Sequence, residues 1–563
     1  MTEPPSFSLL SEPWIPCETT DGGSTLLSLR EVFDGQHPVV GIRGDSPTQD
    51  YAVLRVLLAI FWRAHRHETE VGPGQTFYFE DWMSEQWAKA RSTSPDQEVL
   101  DYLERYANRF DLLHPETPFM QVAGLHTQSG STSAISRIVP ESEGDYFAMR
   151  AGAGITSISL PEAARWVIST QAYDYSGIKS GAVGDPRVKG GRGYPIGTGW
   201  TGMTGGTTIL GTTLRETLVL NTAPEAVGAG EEDRPVWERE ADGPAERPSP
   251  HPAGPADLAT WQGRRIRLFP DGDRVTRVLV SNGDRIPNAG ANIMDDPMTP
   301  YRYSTNKSTA ALDVYYPRPY DTQRMMWKSL EPLVVQAGDL TYPKGVKPPK
   351  PPKTLTSLAT IRLSGEVEDL AVFNIRLSSA SYGPQASSSA TTVDARIDLP
   401  RALLHESHPQ GRLTVLHAAQ ATQDAAVALG QFAGNLLVAA GGEYAFQADA
   451  TNGALSALEA PFRAWLRGID LESLDAAARQ WQEHVDATIR NEGHVLLRGA
   501  GPRALIGRET TDQNGRTVVV SAASAWTTLT IRLRKILPLT STDDTTKSPT
   551  ESSSSKEDTP HAH

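Results

Sequence analysis

The 563-residue chain carries 53 Lys and Arg against 67 Asp and Glu, a formal net charge of −14, with 39% apolar and 21% charged residues. That length accommodates roughly two to four domains with cores of their own, and no apolar run of about 18 residues is present to span a membrane. A single cysteine, Cys17, excludes an internal disulfide framework and a cysteine-rich zinc site, and fits a reducing cytoplasm. The opening MTEPPSFSLLSEPWIP lacks the basic start and apolar core of a signal peptide. The acidic total argues against a protein that coats nucleic acid nonspecifically. Binding follows the local field, however, so basic loops keep their meaning.

Residues 7–42 read as short strands and turns, with a hairpin-type turn at Asp21-Gly22-Gly23. From Gln49 the run DYAVLRVLLAIFWRAHRH is apolar nearly all round and predicts a buried helix. More helix is expected over 80–111, extended chain over 116–125, a glycine-containing loop over 145–154 and a helix over 160–174. Residues 177–206 are then dense in glycine. Lys179, Arg187, Lys189 and Arg192 stand there against one acid, Asp185. Glycine allows φ > 0 and close backbone approach, and cations among glycines suit an anion such as phosphate. A long flexible surface loop is the competing description. Gly197, Gly199 and Gly202 spell the dinucleotide-binding G-x-G-x-x-G, but no buried strand precedes them and no helical pattern follows, so that reading is rejected.

Residues 207–222 look β-rich, and 223–257, acidic and rich in Pro, Ala and Gly, look like a solvated excursion. Strand-like runs follow. The segment 344–353, KGVKPPKPPK, places four lysines on a proline-stiffened stretch that fits either phosphate contact or a linker. From about Leu399 the periodicity is helical, with candidate helices over 411–441, 453–467, 471–491 and about 517–536. The expected fold is therefore α+β: a large mixed α/β domain over 1–395, a C-terminal four-helix bundle over 396–538, and a disordered tail over 539–563.

No catalytic constellation stands out, and no metal site is expected. His405-Glu406-Ser407-His408 lacks the i, i+4 spacing that puts two imidazoles on one helical face, and Pro409 follows it directly.

LLSEPWIP at 9–16, PFMQ at 118–121, FAMRAGAG at 147–154, GTGWTGMTGGT at 197–207 and SYGPQAS at 381–387 occur in a telling order, with the helical region behind them. By these motifs nearly the whole chain resembles the CasA family, the large subunits of type I-E CRISPR surveillance complexes (Cascade). The resemblance implies a non-enzymatic protein without cofactors. Such a protein recognises the protospacer-adjacent motif on double-stranded DNA, begins strand opening for guide-RNA pairing and helps recruit a nuclease-helicase. It implies that Gly197, Thr198 and Gly199 form a glycine loop against the minor groove, which at ~6 Å wide admits bare backbone better than side chains. Gln385, between Pro384 and Ala386, corresponds to a glutamine wedge on a hairpin tip. Phe147, Ala148, Met149 and Arg150 correspond to the loop that meets the guide-RNA handle and a backbone subunit, with Met149 where the family carries a polar residue.

The family's lysine finger has no direct counterpart, and Arg285 is the candidate for a minor-groove cation. Lys179, Lys189 and Arg192, and in the bundle Arg532, Arg534 and Lys535, are candidate phosphate contacts; the bundle would also meet the small subunits and the displaced strand. The cysteine cluster of some relatives is absent, so no zinc is expected. The rival reading is a cytosolic enzyme that binds a phosphorylated small molecule through the glycine-rich stretch.

Overall fold

The computed structural model describes residues 6–70, 76–140, 155–321, 325–336, 338–361, 371–511 and 517–540. The chain divides into two compact units, Met1–Ala419 with Glu459–Leu474, and Gln420–Leu458 with Asp475–His563. The first mixes helices and sheets. The second is mainly helical.

The core of the first unit is built on helix α1, Pro47–Ala64, which starts where Ser46 accepts from the Gln49 amide and Pro47 occupies the first turn. Every residue from Thr48 to Trp62 is buried, as the apolar run predicted. Beside it lies α2, Leu160–Tyr173, capped by Ser159. An antiparallel sheet joins β1 (Gly205–Leu210) to β4 (Val372–Tyr382), which pairs on its other side with β5 (Ser389–Pro400). A second sheet is centred on the hairpin of β2 (Arg264–Asp271) and β3 (Arg274–Asn282), with the short strands Ser133–Ala134 and Ile158–Ser159 paired to β3.

Several expectations fail for identifiable reasons. Residues 207–222 are not β throughout. After β1, Thr213 accepts from the Glu216 amide and opens a helix over Leu214–Leu220. Residues 223–257 are not a solvated excursion throughout, because several of their side chains meet partners inside the unit. Glu238 accepts from Nε and Nη2 of Arg63 (2.8 and 2.6 Å), and Asp233 accepts from the Ala256 and Asp257 amides at the start of a short helix. Trp237 packs against the stacked pair Phe110 and Phe119. Three of the four lysines of 344–353 lie beside protein groups, while Lys344, Lys347 and Lys350 are exposed to solvent. Lys347 reaches Asp313 at 2.6 Å, Lys350 lies over the Tyr315 ring and Lys353 is 3.4 Å from Glu225.

The C-terminal part contains α3 (Pro409–Ala439), α4 (Ala448–Arg467), α5 (Leu474–Gly499) and α6 (Ala522–Ile536). The unit boundary runs through α3 and α4. Within the second unit, Trp481 of α5 donates to Thr422 of α3, and Trp526 of α6 packs on Phe432 and on His494. Gly493 leaves α5 open for the Trp526 ring; an added Cβ would come within 2.9 Å of it. Residues 517–520, expected to begin the last helix, instead pair as a strand with Arg508–Thr511. The helix waits for Ser521, which forms a reciprocal cap with Ser524.

Candidate nucleic-acid interface

The glycine-rich stretch and the β4–β5 hairpin, far apart in sequence, meet over the end of α2. Gly197 has φ +101 with open space around it, so glycine is needed there for the backbone conformation. Gly199 is needed for a different reason. A Cβ would stand 2.3 and 2.6 Å from the Gln171 and Ala172 carbonyl oxygens, at the end of α2. Gly199 is accordingly buried, while Gly197 and Thr198 are half-exposed. The surface of this loop is thus Gly197–Thr198; Gly199 faces inward, because the chain must pass against the last turn of α2 there. Trp200 follows, and its indole donates to Asp296 at 2.7 Å, the same carboxylate that pairs with buried Arg55 of α1.

The hairpin tip carries Gln385, exposed, with φ +58 and ψ 21, and then Ala386 with φ +52. Two successive non-glycine residues in the left-handed region cost about 1–2 kcal/mol each. Strain of this kind persists only where the surrounding structure over-determines it. Here it does. The Gly383 amide donates to the Ser388 carbonyl (2.9 Å) and closes the tip. The Tyr382 hydroxyl donates to the Tyr173 carbonyl at 2.8 Å.

One residue touches both loops. The Ser176 amide donates to the Ala386 carbonyl at 2.7 Å, and the Ser176 hydroxyl oxygen accepts from the Gly197 amide at 3.0 Å. Beneath Ser176 sits a buried charge cluster. Asp174 receives Arg264 (2.5 Å), Arg137 (2.7 Å) and Lys179 (3.0 Å). Nη2 of Arg264 also donates to the Asp174, Tyr175 and Gly197 carbonyls at 3.1, 2.9 and 2.9 Å. Burial would raise the Asp174 carboxyl, but the three cations outweigh it and hold the group well below the usual carboxylate range. Burial pushes the Lys179 ammonium down to about 7, against the pull of Asp174. Sequence reasoning missed Ser176, Asp174 and Arg264. Arg264 reads as one more strand residue in RRIRLF, and nothing local marks a contact with residues about 90 positions away.

The predicted cations divide. Lys179 is 4% exposed and paired with Asp174, with its ammonium 3.9 Å over the Tyr175 ring, so it faces inward and presents nothing to a phosphate. Lys189 and Arg192 are exposed. They exchange backbone hydrogen bonds of 3.1 Å across Gly190 and Gly191, both at positive φ, the signature of a type I′ turn that sets the two cations side by side. Arg285 is exposed just past Gly283 and Asp284, whose amides donate to Gly263 and Gln262, and Gly263 abuts Gly199. Arg532, Arg534 and Lys535 are exposed on α6 in the second unit. Phe147, Ala148, Met149 and Arg150 lie outside the described residues, as does the tail beyond Thr540.

A cavity of about 670 Å³ in the first unit is lined by Tyr51, Leu54, Trp87, Thr208, Arg376 and Ser378 among others, and by none of residues 177–199. It is therefore no pocket of the glycine-rich stretch. Among the described residues no group of three or more His, Cys, Asp or Glu is placed to hold a metal ion, and no helix is long and apolar enough to cross a membrane.

Comparison with known proteins agrees with this architecture. A chain of a CRISPR RNA-guided surveillance complex shares the fold, with a TM-score of 0.64 at 20% identity over 88% of this chain and 100% of that one. The crystal structure of Thermobifida fusca Cse1 superposes with a TM-score of 0.81 at 36% identity, covering 96% of this chain and 100% of that one. CasA/Cse1 of Thermus thermophilus is 26% identical over 388 residues, 66% of this chain and 70% of its own length. The sequence profile of CRISPR-associated protein Cse1 matches residues 8–491, and the chain belongs to that family, Cse1 or CasA.

Proposed function

We propose that this chain is the motif-reading large subunit of an RNA-guided surveillance complex. It recognises the protospacer-adjacent motif on double-stranded target DNA, starts duplex opening and helps recruit a nuclease-helicase, without catalysing a reaction itself. The observation that carries the reading is the exposed, left-handed Gln385 at a closed hairpin tip, bonded through Ser176 to the Gly197–Thr198 backbone. A rigid tip with a planar amide suits insertion at a base step, where unstacking costs a few kcal/mol. Bare backbone at φ +101 suits close approach in a minor groove. Lys189, Arg192 and Arg285 supply exposed cations on the same unit for phosphates or the groove. The guide RNA supplies most of the sequence specificity by pairing, which fits an acidic chain that must release wrong DNA quickly.

Around this centre, Phe147–Arg150 meets the guide-RNA handle and a backbone subunit. The helical region that follows β5 meets the small subunits, and Arg532, Arg534 and Lys535 hold the displaced strand. The complex works in the cytoplasm. Membership of the Cse1 family, and a fold shared with a chain of an RNA-guided surveillance complex, support a place beside the other subunits of such a complex.

The test is strand opening by the reconstituted guide-RNA complex on duplexes with and without candidate adjacent motifs. Gln385→Ala is expected to slow opening about tenfold or more, a loss of about 1.4 kcal/mol or more, with the midpoint of thermal unfolding unchanged. Opening that proceeds without the chain, or equally fast in the variant, overturns the reading.

A further inference from the structure

The glycine loop and the hairpin tip belong to different elements, and nothing in their sequences requires them to move together. In the structure they share one short segment, Asp174–Ser176. Ser176 bonds Ala386 with its amide and Gly197 with its hydroxyl. Arg264 gathers the carbonyls of Asp174, Tyr175 and Gly197 on one nitrogen and pairs its Nε with Asp174. Below it, Arg137 (4.9 Å) and Lys179 (3.9 Å) both lie over the Tyr175 ring. A third tie is steric. A Cβ on Gly202 would stand 2.3 Å from the Tyr382 hydroxyl, the side chain that enters the tip. The segment is bonded to the loop, to the tip and to a buried ion cluster. A shift of the Gly197 backbone therefore pulls on the same peptide that supports Ala386.

We propose that Ser176 and Arg264 are positioning residues that couple the glycine loop to the wedge, so that contact of the loop with the groove sets the tip for insertion. This rests on the DNA-recognition reading above. The coupling is specific in its chemistry. Ser176→Ala removes the acceptor for the Gly197 amide but keeps the amide that supports Ala386. Ser176→Thr restores the acceptor. Arg264→Lys keeps a charge for Asp174 but loses the planar guanidinium that bonds Asp174 through Nε and three carbonyls through Nη2.

The experiment uses the reconstituted guide-RNA complex with a 2-aminopurine reporter at the first base pair beside the motif. Two targets are compared, one closed and one with that step already mismatched open. Ser176→Ala is expected to slow opening of the closed duplex about fivefold, the scale of one neutral hydrogen bond. Binding of the pre-opened target should stay within about twofold of wild type, and Ser176→Thr should recover the rate. Arg264→Lys is expected to show the same split with a larger loss. A purely structural role would weaken both targets alike and lower the unfolding midpoint.

Equal loss on both targets, or normal opening by Ser176→Ala while Gln385→Ala is slow, overturns the coupling and leaves the DNA reading standing. Opening that ignores the motif in the wild type, and is unaffected by Gln385→Ala, overturns the DNA reading itself.

Discussion

Two antiparallel hairpins of the first unit solve the same turning problem in opposite ways. Between β2 and β3 the chain reverses through Gly272-Asp273, and the left-handed position, φ +63, is held by glycine with open space around it. Between β4 and β5 the left-handed positions are given to Gln385 and Ala386, although Gly383 is only two residues away at φ −64. The first turn is built with little strain. The second gives up stability to present an exposed amide, and it can do so because Tyr382, Ser176 and the Asp174–Arg264 cluster hold it from beneath. A strained, exposed, uncharged tip on a buried, charge-dense anchor separates what is presented to solvent from what keeps it in place.

That separation is open to attack at its anchor first. Arg264→Ala removes a buried partner of Asp174 and strands three carbonyls, and should cost about 3–5 kcal/mol in denaturant unfolding; a change below about 1 kcal/mol would mean that the cluster does not hold the tip. The anchor should also be the acid-sensitive part. Asp174 has a folded-state pKa below its unfolded value, so its stabilisation is present above roughly pH 4 and is lost as pH falls through the folded value. The advantage of wild type over Asp174→Asn in urea should therefore shrink as pH is lowered from 7 to 3, whereas a difference that widens over that range would reverse the assignment.

The turns themselves should respond less, and in opposite directions. Gly272→Ala forces a side chain into the left-handed region and should cost about 1 kcal/mol. Gln385→Gly relieves that strain while raising the entropy of the unfolded chain, and should leave stability unchanged or up to about 1 kcal/mol higher. Loss of stability in Gln385→Gly comparable to that in Gly272→Ala would erase the distinction between the two hairpins.

Much of this was legible in the chain. The apolar run after Gln49 specifies α1, because burial on all sides needs apolar residues at every helical phase. SYGPQAS marked the turn that carries Gln385, and the glycines at 197 and 199 marked a backbone that must bend or approach closely. Family membership followed from the order of such motifs.

Other features were not legible, because they depend on which partner a side chain meets. The acidic composition of 223–257 suggested solvent, yet Glu238 and Asp233 found an arginine and a helix start. Lys179 suggested a phosphate, yet it turned inward to Asp174. Local sequence determined where the chain turns and which stretches must be buried, since periodicity and backbone freedom are properties of neighbouring residues. Only the tertiary structure decided that Ser176 would stand between a glycine loop and a hairpin tip. That contact joins three segments whose separations along the chain carry no local signal.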